Sequence, residues 1–376
     1  MGKTVIIISP QSWGKMLVSK HHYAIELARM GYRVFFLSPP DYSLRTRFSV
    51  TPAPNGEGVI LIEHRPPFPY FLKFKVTRLF HYLMGKHIKR LLSFLDVNID
   101  IVWSFDLGNI YPFEYFPTNA IKIFHPVDEP LNDFAFQSAK GADVIFSVTR
   151  EILEKYRDHH LPGYLVNHGV DPRFLLNDDI LKLSKVVIGF SGNLLRPDID
   201  REVLLEIIDE NSQVSFRFWG SFETSSANLS GNSDGDTLAF IEKLKKRANV
   251  SLEGAVTTSE LIAGYKDVSV FLICYDINKD QSKGTNYHKI MEFLATGRVI
   301  ISNNVTSFAG RDDLLLMNES RSDNKGLVFL FKDVINKLDE YNSTGQVAVR
   351  RRYAAENTYR KQVERIEGIL KQQFGN

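Results

Sequence analysis

The sequence has little cysteine and no long uncharged apolar run. Its single cysteine, Cys274, excludes an intrachain disulfide and any metal cluster built from several thiolates. No run of about 18 uncharged apolar residues occurs, so no membrane-spanning helix is expected. The apolar run in MGKTVIIIS is too short for a signal peptide, and Ile6 does not fit a myristoylation motif. These absences favour a reducing, cytoplasmic location.

Two nucleotide-binding motifs and a zinc motif are also missing. The segment SPQSWGKMLVSKHH after the first predicted strand has neither the P-loop spacing nor G-x-G-x-x-G. His21 and His22 are adjacent, so on a helix they diverge by about 100° and lack the i, i+4 spacing of a zinc pair. We therefore expect neither a dinucleotide nor a metal, and no nucleic-acid module is recognisable.

Net charge is small but unevenly placed. The 376 residues carry a formal charge of +2, yet residues 1–94 hold 14 Lys and Arg against 4 Asp and Glu. The remainder holds 32 against 40. This asymmetry indicates that the first part of the chain faces an anionic surface. The length predicts two domains.

Short β-branched runs alternate with amphipathic stretches in the first half. Such alternation predicts a parallel sheet covered on both faces by helices. The predicted strands are Val5–Ser9, Tyr32–Leu37, Val59–Ile62, Ile101–Ser104, Ile121–Phe124, Val144–Val148 and Leu165–Asn167. The predicted helices are Ser19–Met30, Phe71–Leu95, Asn132–Lys140 and Thr149–His159.

The same alternation restarts after a break near Asp171–Lys185. The second set of strands is Val186–Gly192, Val214–Trp219, Val250–Leu252 and Val268–Cys274, and the helices between them are Asp200–Glu210, Asp236–Lys246 and Ser259–Tyr265. We therefore predict an α/β protein of two doubly wound, Rossmann-like domains, 1–175 and 186–346, facing a cleft. A C-terminal helix in 347–376 is expected to cross back to the first domain. Ligands should bind beyond the carboxyl ends of the strands.

The segment NYHKIMEFLATGRVIISNN contains one acid in an apolar helical pattern. Thr285 or Asn286 should cap a helix that ends at Gly297. Lys289 and Glu292 then lie on one face, one turn apart. A helix start with a lysine suits phosphates, and the carboxylate below it suits ribose hydroxyls, as in a nucleoside diphosphate. The alternative is a surface ion pair worth about 0.3–0.5 kcal/mol.

This segment, as YHKIMEFLATGRVII, resembles the sugar-nucleotide motif of GT-B glycosyltransferases of the family-4-like retaining group. Six further segments resemble that group in the expected order, closest to its teichuronic-acid-type members. They are SWGKMLVSKHHYAIELARMGYRVFFLSPP, FHPVDEP with ADVIFSVT, NHGVDPRF, VVIGFSGNLLRPDID and NVSLEGAVTTSEL. The resemblance implies a GT-B fold, a nucleotide diphosphate sugar as donor and no metal requirement.

The resemblance also implies a donor site in the second domain. Glu292 would bind ribose, and Lys289 and Arg196 would bind phosphates. The sequence departs from the group at Gly284, where an E-x7-E pattern would place a glutamate, so backbone N–H groups near it are expected to hold the sugar. The other expected donor-site residues are Thr285, Asn286, Tyr287, Gly192, Asn193, Gly220, Ala255, Val256 and Tyr275.

The acceptor site is expected in the first domain. Asp128 of FHPVDEP is the candidate general base, with His125 as the alternate. Asp128 could instead cap a turn. Asp106, after the predicted strand Ile101–Ser104, could contact the acceptor or form a turn. Residues of the first loop and helix complete the expected acceptor side: Gly14, Lys20 and His22.

The segment Arg65–Phe94 interleaves aromatic and basic residues and contains no acid. This composition suits the surface of an anionic leaflet, where a lipid-linked acceptor would reside. The alternative is a domain helix with a buried aromatic stripe. The sequence thus favours a retaining glycosyltransferase of cell-surface polysaccharide synthesis, peripheral on the inner membrane face. A sugar-nucleotide 2-epimerase of the same fold and a non-catalytic nucleotide-sugar-binding subunit remain alternatives.

Overall fold

A computed structural model describes residues 2–14, 17–176, 185–223 and 234–375, and the chain divides into two compact units. The first unit comprises Met1–His168 and Tyr359–Asn376, and the second comprises Gly169–Thr358. Residues 177–184 of the expected break lie outside the described residues. Each unit has its own sheet and its own hydrophobic core, as the alternating sequence pattern predicted.

The first unit is built on a sheet with the strand order β3-β4-β2-β1-β5-β6-β7-β8. The strands are β1 (Thr4–Ile8), β2 (Arg33–Leu37), β3 (Phe48–Pro52), β4 (Ile60–His64), β5 (Ile101–Ser104), β6 (Ile121–Phe124), β7 (Val144–Ser147) and β8 (Gly163–Leu165). Neighbours pair in parallel except β3, which is antiparallel to β4. The prediction missed β3, because its exposed edge position leaves little apolar pattern in FSVTP.

The second unit has a sheet with the strand order β11-β10-β9-β12-β13-β14, all parallel. Its strands are β9 (Val187–Ser191), β10 (Ser215–Trp219), β11 (Val250–Gly254), β12 (Val270–Ile273), β13 (Val299–Ser302) and β14 (Leu316–Met317). The two parallel-sheet units confirm the predicted α/β fold class.

The helices cover both faces of each sheet. They are α1 (Ser19–Arg29), α2 (Leu72–Lys75), α3 (Thr77–Leu95), α4 (Asp133–Gln137), α5 (Arg150–Lys155), α6 (Arg201–Glu210), α7 (Gly235–Lys245), α8 (Thr258–Tyr265), α9 (Lys289–Thr296), α10 (Lys325–Asn336), α11 (Leu338–Tyr341), α12 (Thr344–Ala355) and α13 (Tyr359–Phe374). In the first unit, Ile6 and Ile8 of β1 pack in the core beneath α3, and Val5 and Ile7 pack in the core that includes α1 and α13. Burial on both faces explains the uninterrupted run TVIII.

Two predicted helices are broken in the structure. The continuous helix predicted over Phe71–Leu95 is wrong, because Val76 has φ −140° and ψ 64° and separates α2 from α3. The C-terminal helix predicted in 347–376 is likewise two helices, α12 and α13, and α13 belongs to the first unit. Among the described helices, none is sufficiently long and apolar to cross a membrane.

Helix α9 begins later than predicted. Its N-cap is His288, which makes no side-chain capping bond, so the predicted caps Thr285 and Asn286 are wrong. They are buried in the loop before it. The predicted end is confirmed, since Gly297 closes α9 in the left-handed conformation. The apolar faces of α9 lie in the core, where Phe293 stacks on Phe271 with ring centroids 4.1 Å apart.

Candidate functional site

The carboxyl ends of β9, β10 and β11 meet in a group of glycines. Gly192 donates its N–H to the carbonyl of Trp219 at 2.9 Å, and Gly220 donates to Gly254 at 2.8 Å. Gly220 has φ 135°, and a Cβ there would lie 1.8 Å from the carbonyl oxygen of Gly192. Only glycine fits such an approach. Ligands bind at this edge in doubly wound sheets. Here the edge is partly formed by glycine backbone without side chains.

Glu292 of α9 has spare hydrogen-bonding capacity. Its side chain is 19% exposed, and Oε2 makes no hydrogen bond of standard geometry within the described part of the chain. The Nζ of Lys289 lies 3.5 Å from Oε2, which is the arrangement expected from their spacing. Burial raises the pKa of Glu292, and the charge of Lys289 opposes the rise. A buried carboxylate oxygen whose contacts within the chain are long is well suited to accept hydrogen bonds from a ligand.

The surroundings of Glu292 connect it to the strand ends. The buried hydroxyl of Tyr265 in α8 interacts with both Glu292 and Ser191, the last residue of β9, although it makes no hydrogen bond of standard geometry. The ring of Trp219, the last residue of β10, lies 5.5 Å from that of Tyr265. Asp171 is also near and raises the pKa of Glu292 further. Glu292 is thus next to the carboxyl edge of the sheet.

Asp280 organises the loop before α9. Its buried carboxylate accepts the N–H of Gly284 at 3.0 Å and the hydroxyl of Tyr287 at 2.8 Å. Sequence analysis missed this residue, although Asp, Ser and Gly at alternate positions of DQSKG are turn-forming residues that could have indicated it. The Asp280 carboxylate is engaged within the chain. It therefore does not replace the acid that is absent at position 284.

The loop bears on the expectation that backbone N–H groups of this segment hold the sugar, because two of those donors have partners within the chain. The N–H of Gly284 is bonded to Asp280, and the N–H of Thr285 donates to the carbonyl of Ser282 at 3.1 Å. At the start of α9, the N–H of Ile290 donates to the carbonyl of Tyr287 at 3.1 Å. These three donors are used within the chain, so side chains are the better candidates to hold a ligand here.

Arg196 is paired rather than free. Its guanidinium donates to both carboxylate oxygens of Asp198, with Nε 2.8 Å from Oδ1, and lies 3.5 Å from Asp280. It also lies over the ring of Tyr275, 5.3 Å from the centroid. A phosphate at Arg196 would have to compete with two carboxylates. The structure therefore gives less support for Arg196 than for Lys289 as the expected phosphate ligand.

The remaining expected donor-site residues fall near the same strand ends. The ring of Tyr275 packs against that of Tyr287 at 5.1 Å. Asn193 uses its Oδ1 to accept the N–H of Leu195 at 3.0 Å, which fixes the loop after β9. Ala255 and Val256 are exposed directly after β11. These positions remain proposals for contact with a base or sugar.

In the first unit, Asp128 and His125 have opposite environments. Asp128 is exposed in the loop after β6, whereas His125 is 0% exposed. The Nδ1 of His125 accepts the indole N–H of Trp103 at 3.2 Å, and its ring stacks on Phe105 at 5.0 Å. Burial lowers the pKa of His125 to about 3. His125 is therefore a core residue without access to an acceptor, and Asp128 is the accessible candidate base.

Lys20 of α1 lies close enough to Asp128 for their charges to interact. Its side chain is buried, and burial lowers its pKa, while the charge of Asp128 opposes this shift. His22 stacks on Tyr359 of α13, with ring centroids 4.6 Å apart. Gly14 is exposed, and a Cβ there would meet no atom within 4 Å. Lys20 is thus an expected acceptor residue whose charge interacts with that of Asp128.

Asp106 holds a turn. Its buried carboxylate accepts the N–H groups of Gly108 and Ile110, each at 2.7 Å. Burial raises its pKa, and these N–H groups and the nearby Lys73 oppose the rise. The structure thus favours the turn-forming alternative over acceptor contact. Within the described ranges, no group of three or more His, Cys, Asp or Glu side chains is placed to hold a metal ion.

Comparison with known proteins identifies the fold. No family model and no curated protein matches the sequence. Sucrose-phosphate synthase from Thermosynechococcus elongatus matches with a TM-score of 0.74 and 11% identity, covering 99% of both chains. HepE from Anabaena, in complex with UDP and glucose, has a TM-score of 0.69 and 12% identity, covering 98% of this chain and 99% of its own. A glycosyltransferase from Rickettsia africae has a TM-score of 0.66 and 12% identity, with 100% and 99% coverage. The GT-B fold expected from the sequence is confirmed.

Proposed function

We propose that the chain is a glycosyltransferase that moves a sugar from a nucleoside diphosphate sugar to an acceptor hydroxyl. The observation that carries this proposal is the buried Oε2 of Glu292, which makes no hydrogen bond of standard geometry among the described residues and lies 3.5 Å from the Nζ of Lys289. Structures of the same fold, such as HepE with UDP and glucose, support a nucleotide-sugar donor. UDP is therefore the first nucleotide to test.

In the second unit, Glu292 would accept hydrogen bonds from the ribose hydroxyls. Lys289, one turn nearer the start of α9, would bind the diphosphate and stabilise the negative charge that develops on it as the glycosidic bond breaks. Gly192 and Gly220 have no side chains at the carboxyl ends of the strands, so a nucleotide could approach the backbone there. These roles use one anion site and one carboxylate on a single helix.

In the first unit, Asp128 would accept the proton of the attacking hydroxyl or orient it. Its exposure makes it accessible to an acceptor. We propose retention at the anomeric carbon and a glycan or lipid-linked saccharide of cell-surface polysaccharide synthesis as acceptor. Both follow the family resemblance of the sequence. The proposed location is the cytoplasmic side of the membrane.

Two experiments test the function. Calorimetry with a panel of nucleoside diphosphates identifies the one that binds. The matching nucleotide sugar is then incubated with the protein, with and without acceptor saccharides. Binding of one diphosphate together with acceptor-dependent release of that diphosphate is the expected result. Absence of binding by every diphosphate in the panel would overturn the proposal.

A non-catalytic nucleotide-sugar-binding subunit is the second candidate. One observation favours it, because position 284 lacks the acid of the resembled motif and Asp280 is engaged within its own loop. The same incubation separates the two candidates. Diphosphate binding without transfer to any acceptor would support the binding subunit, and conversion of the donor sugar without acceptor would instead support a 2-epimerase.

A further inference from the structure

The first unit exposes a group of apolar side chains around α2 and the start of α3. Phe71, Phe74, Val76, Leu79 and Tyr82 are all exposed, Phe74 to 63%. Leu131, in the loop that follows β6, is 62% exposed. Single exposed apolar residues are common, but a contiguous group in one segment marks an interaction surface. We call these six residues together with the basic residues described next the interfacial surface.

Basic residues surround the apolar ones. Five are exposed in α2 and α3, and Arg65–Phe94 contains no acid. The basic members of the interfacial surface are Lys75, Arg78, Lys86, Lys89 and Arg90. The Nζ of Lys86 lies 4.3 Å from the ring centroid of Tyr82, so charge and aromatic surface are directly adjacent. This charge complements a surface of phosphate groups.

The residues of α2 contact α4 and the loop after β5, so the interfacial surface lies near the end of the sheet where Asp128 is found. Lys73 is buried, with its Nζ 4.6 Å from the ring centroid of Phe134 in α4, and its charge acts on Asp106 after β5. The rings of Phe74 and Phe134 meet edge to face at 6.2 Å. Leu131 precedes α4 in the same loop as Asp128. The interfacial surface therefore adjoins the carboxyl ends of β5 and β6.

We propose that the interfacial surface binds an anionic lipid bilayer, with its aromatic residues at the level of the head groups and its lysines and arginines on lipid phosphates. This goes beyond the sequence-based expectation by naming the exposed residues that make the contact. Resting on the proposed function, it also identifies the acceptor as a lipid-borne saccharide, delivered beside Asp128.

A bilayer fits these residues better than a protein or a nucleic acid. The cores of protein interfaces are depleted of lysine and other charged residues, whereas five basic residues lie among the apolar ones here. Nucleic-acid phosphates would use the basic residues but give no role to exposed Val76 and Leu79. Aromatic and aliphatic residues flanked by Lys and Arg are the pattern of interfacial membrane helices.

The test is co-sedimentation of the full chain with vesicles of phosphatidylcholine alone or mixed with phosphatidylglycerol, without nucleotide. A charge variant, K86Q/K89Q/R90Q, and an apolar variant, F71Q/L79Q/Y82Q, are compared with the parent. The matched controls are K243Q/K245Q/K246Q, three exposed lysines at the end of α7, and F329Q, an exposed phenylalanine of α10. Circular dichroism verifies that each variant is folded.

The expected result is binding of the parent to the mixed vesicles, weakened about tenfold to 100-fold in the charge variant and also reduced in the apolar variant. Both controls should bind like the parent. Failure of the parent to sediment, or equal sedimentation of a folded charge variant, would overturn the proposal. Parent binding to heparin but not to vesicles would overturn it in favour of a general polyanion site. Diphosphate binding is measured separately, so loss of vesicle binding with intact diphosphate binding leaves the proposed function standing.

Discussion

The carboxylate of Asp280 accepts the N–H of Gly284 at 3.0 Å, and Gly284 has φ 63° at a point where a Cβ would lie 2.6 Å from the carbonyl oxygen of Asn304. The position that carries an acid in the resembled motif is therefore a turn that only glycine fits. The same carboxylate also accepts the hydroxyl of Tyr287. One acid thus holds the loop that leads into α9.

Asp280→Asn should destabilise this loop, because an amide replaces a charged acceptor of four internal hydrogen bonds, two from Ser282 and one each from Gly284 and Tyr287. We expect the free energy of unfolding to fall by about 1–3 kcal/mol and diphosphate binding to weaken. Urea denaturation and calorimetry measure the two effects. Asp236→Asn, an exposed acid in the first turn of α7, is the control. Equal stability of Asp280→Asn and the control would show that the loop does not depend on this carboxylate.

Gly220→Ala should be strongly destabilising, since the new Cβ would lie 1.8 Å from the Gly192 carbonyl oxygen at φ 135°. Gly368→Ala is the matched control, because Gly368 is an exposed residue of α13 with no atom within 4 Å of its Cβ position. The control should be stabilised by about 0.5–1 kcal/mol through helix propensity. Thermal unfolding of both variants gives the comparison, and a Gly220→Ala protein as stable as the parent would contradict the geometry.

The stability of the chain should fall in mild acid, and His125 is one of the buried histidines that cause the fall. Its pKa is about 3 in the folded chain, against about 6.5 when unfolded, so the unfolded state binds the proton more readily. The stabilisation is complete above pH 6.5 and is lost as pH falls from 6.5 towards 3, at about 1.4 kcal/mol per pH unit for this group. His125→Phe should show a smaller loss between neutral pH and acid in urea denaturation. An unchanged pH dependence would mean that His125 does not titrate as its burial predicts.

Asp128→Asn should lower kcat by about 10²- to 10⁴-fold if Asp128 is the base, because the amide cannot accept the proton of the acceptor hydroxyl. Diphosphate affinity should stay at the parent value, since Asp128 belongs to the first unit and Glu292 to the second. Asp158→Asn, an exposed acid of the first unit, serves as the control. Full activity of Asp128→Asn would remove Asp128 from the chemistry.

The sequence predicted those features of the site that depend on residues close together in the chain. The relationship of Lys289 to Glu292 follows from helix periodicity, and Gly297 follows from helix termination, so both are found where expected. The pairing of Arg196 with Asp280 joins residues 84 positions apart, and a single sequence carries no pattern for such a contact.

The sequence pattern also could not predict which side chains are buried. His125 and Asp128 stand three residues apart in FHPVDEP, yet one is packed against Trp103 and the other is exposed. The predicted boundaries of the helix over Phe71–Leu95 were wrong for a related reason. The helical spacing of apolar residues continues through Val76, whereas the backbone there leaves the helical conformation.

The most direct measurement is the diphosphate affinity of Glu292→Gln, by calorimetry, against Glu206→Gln, an exposed acid of α6. Loss of the charged acceptor should weaken binding by about 1–3 kcal/mol in Glu292→Gln and leave the control at the parent value. If Glu292→Gln binds the diphosphate as tightly as the parent, the carboxylate does not hold the ribose and the donor site is not at α9.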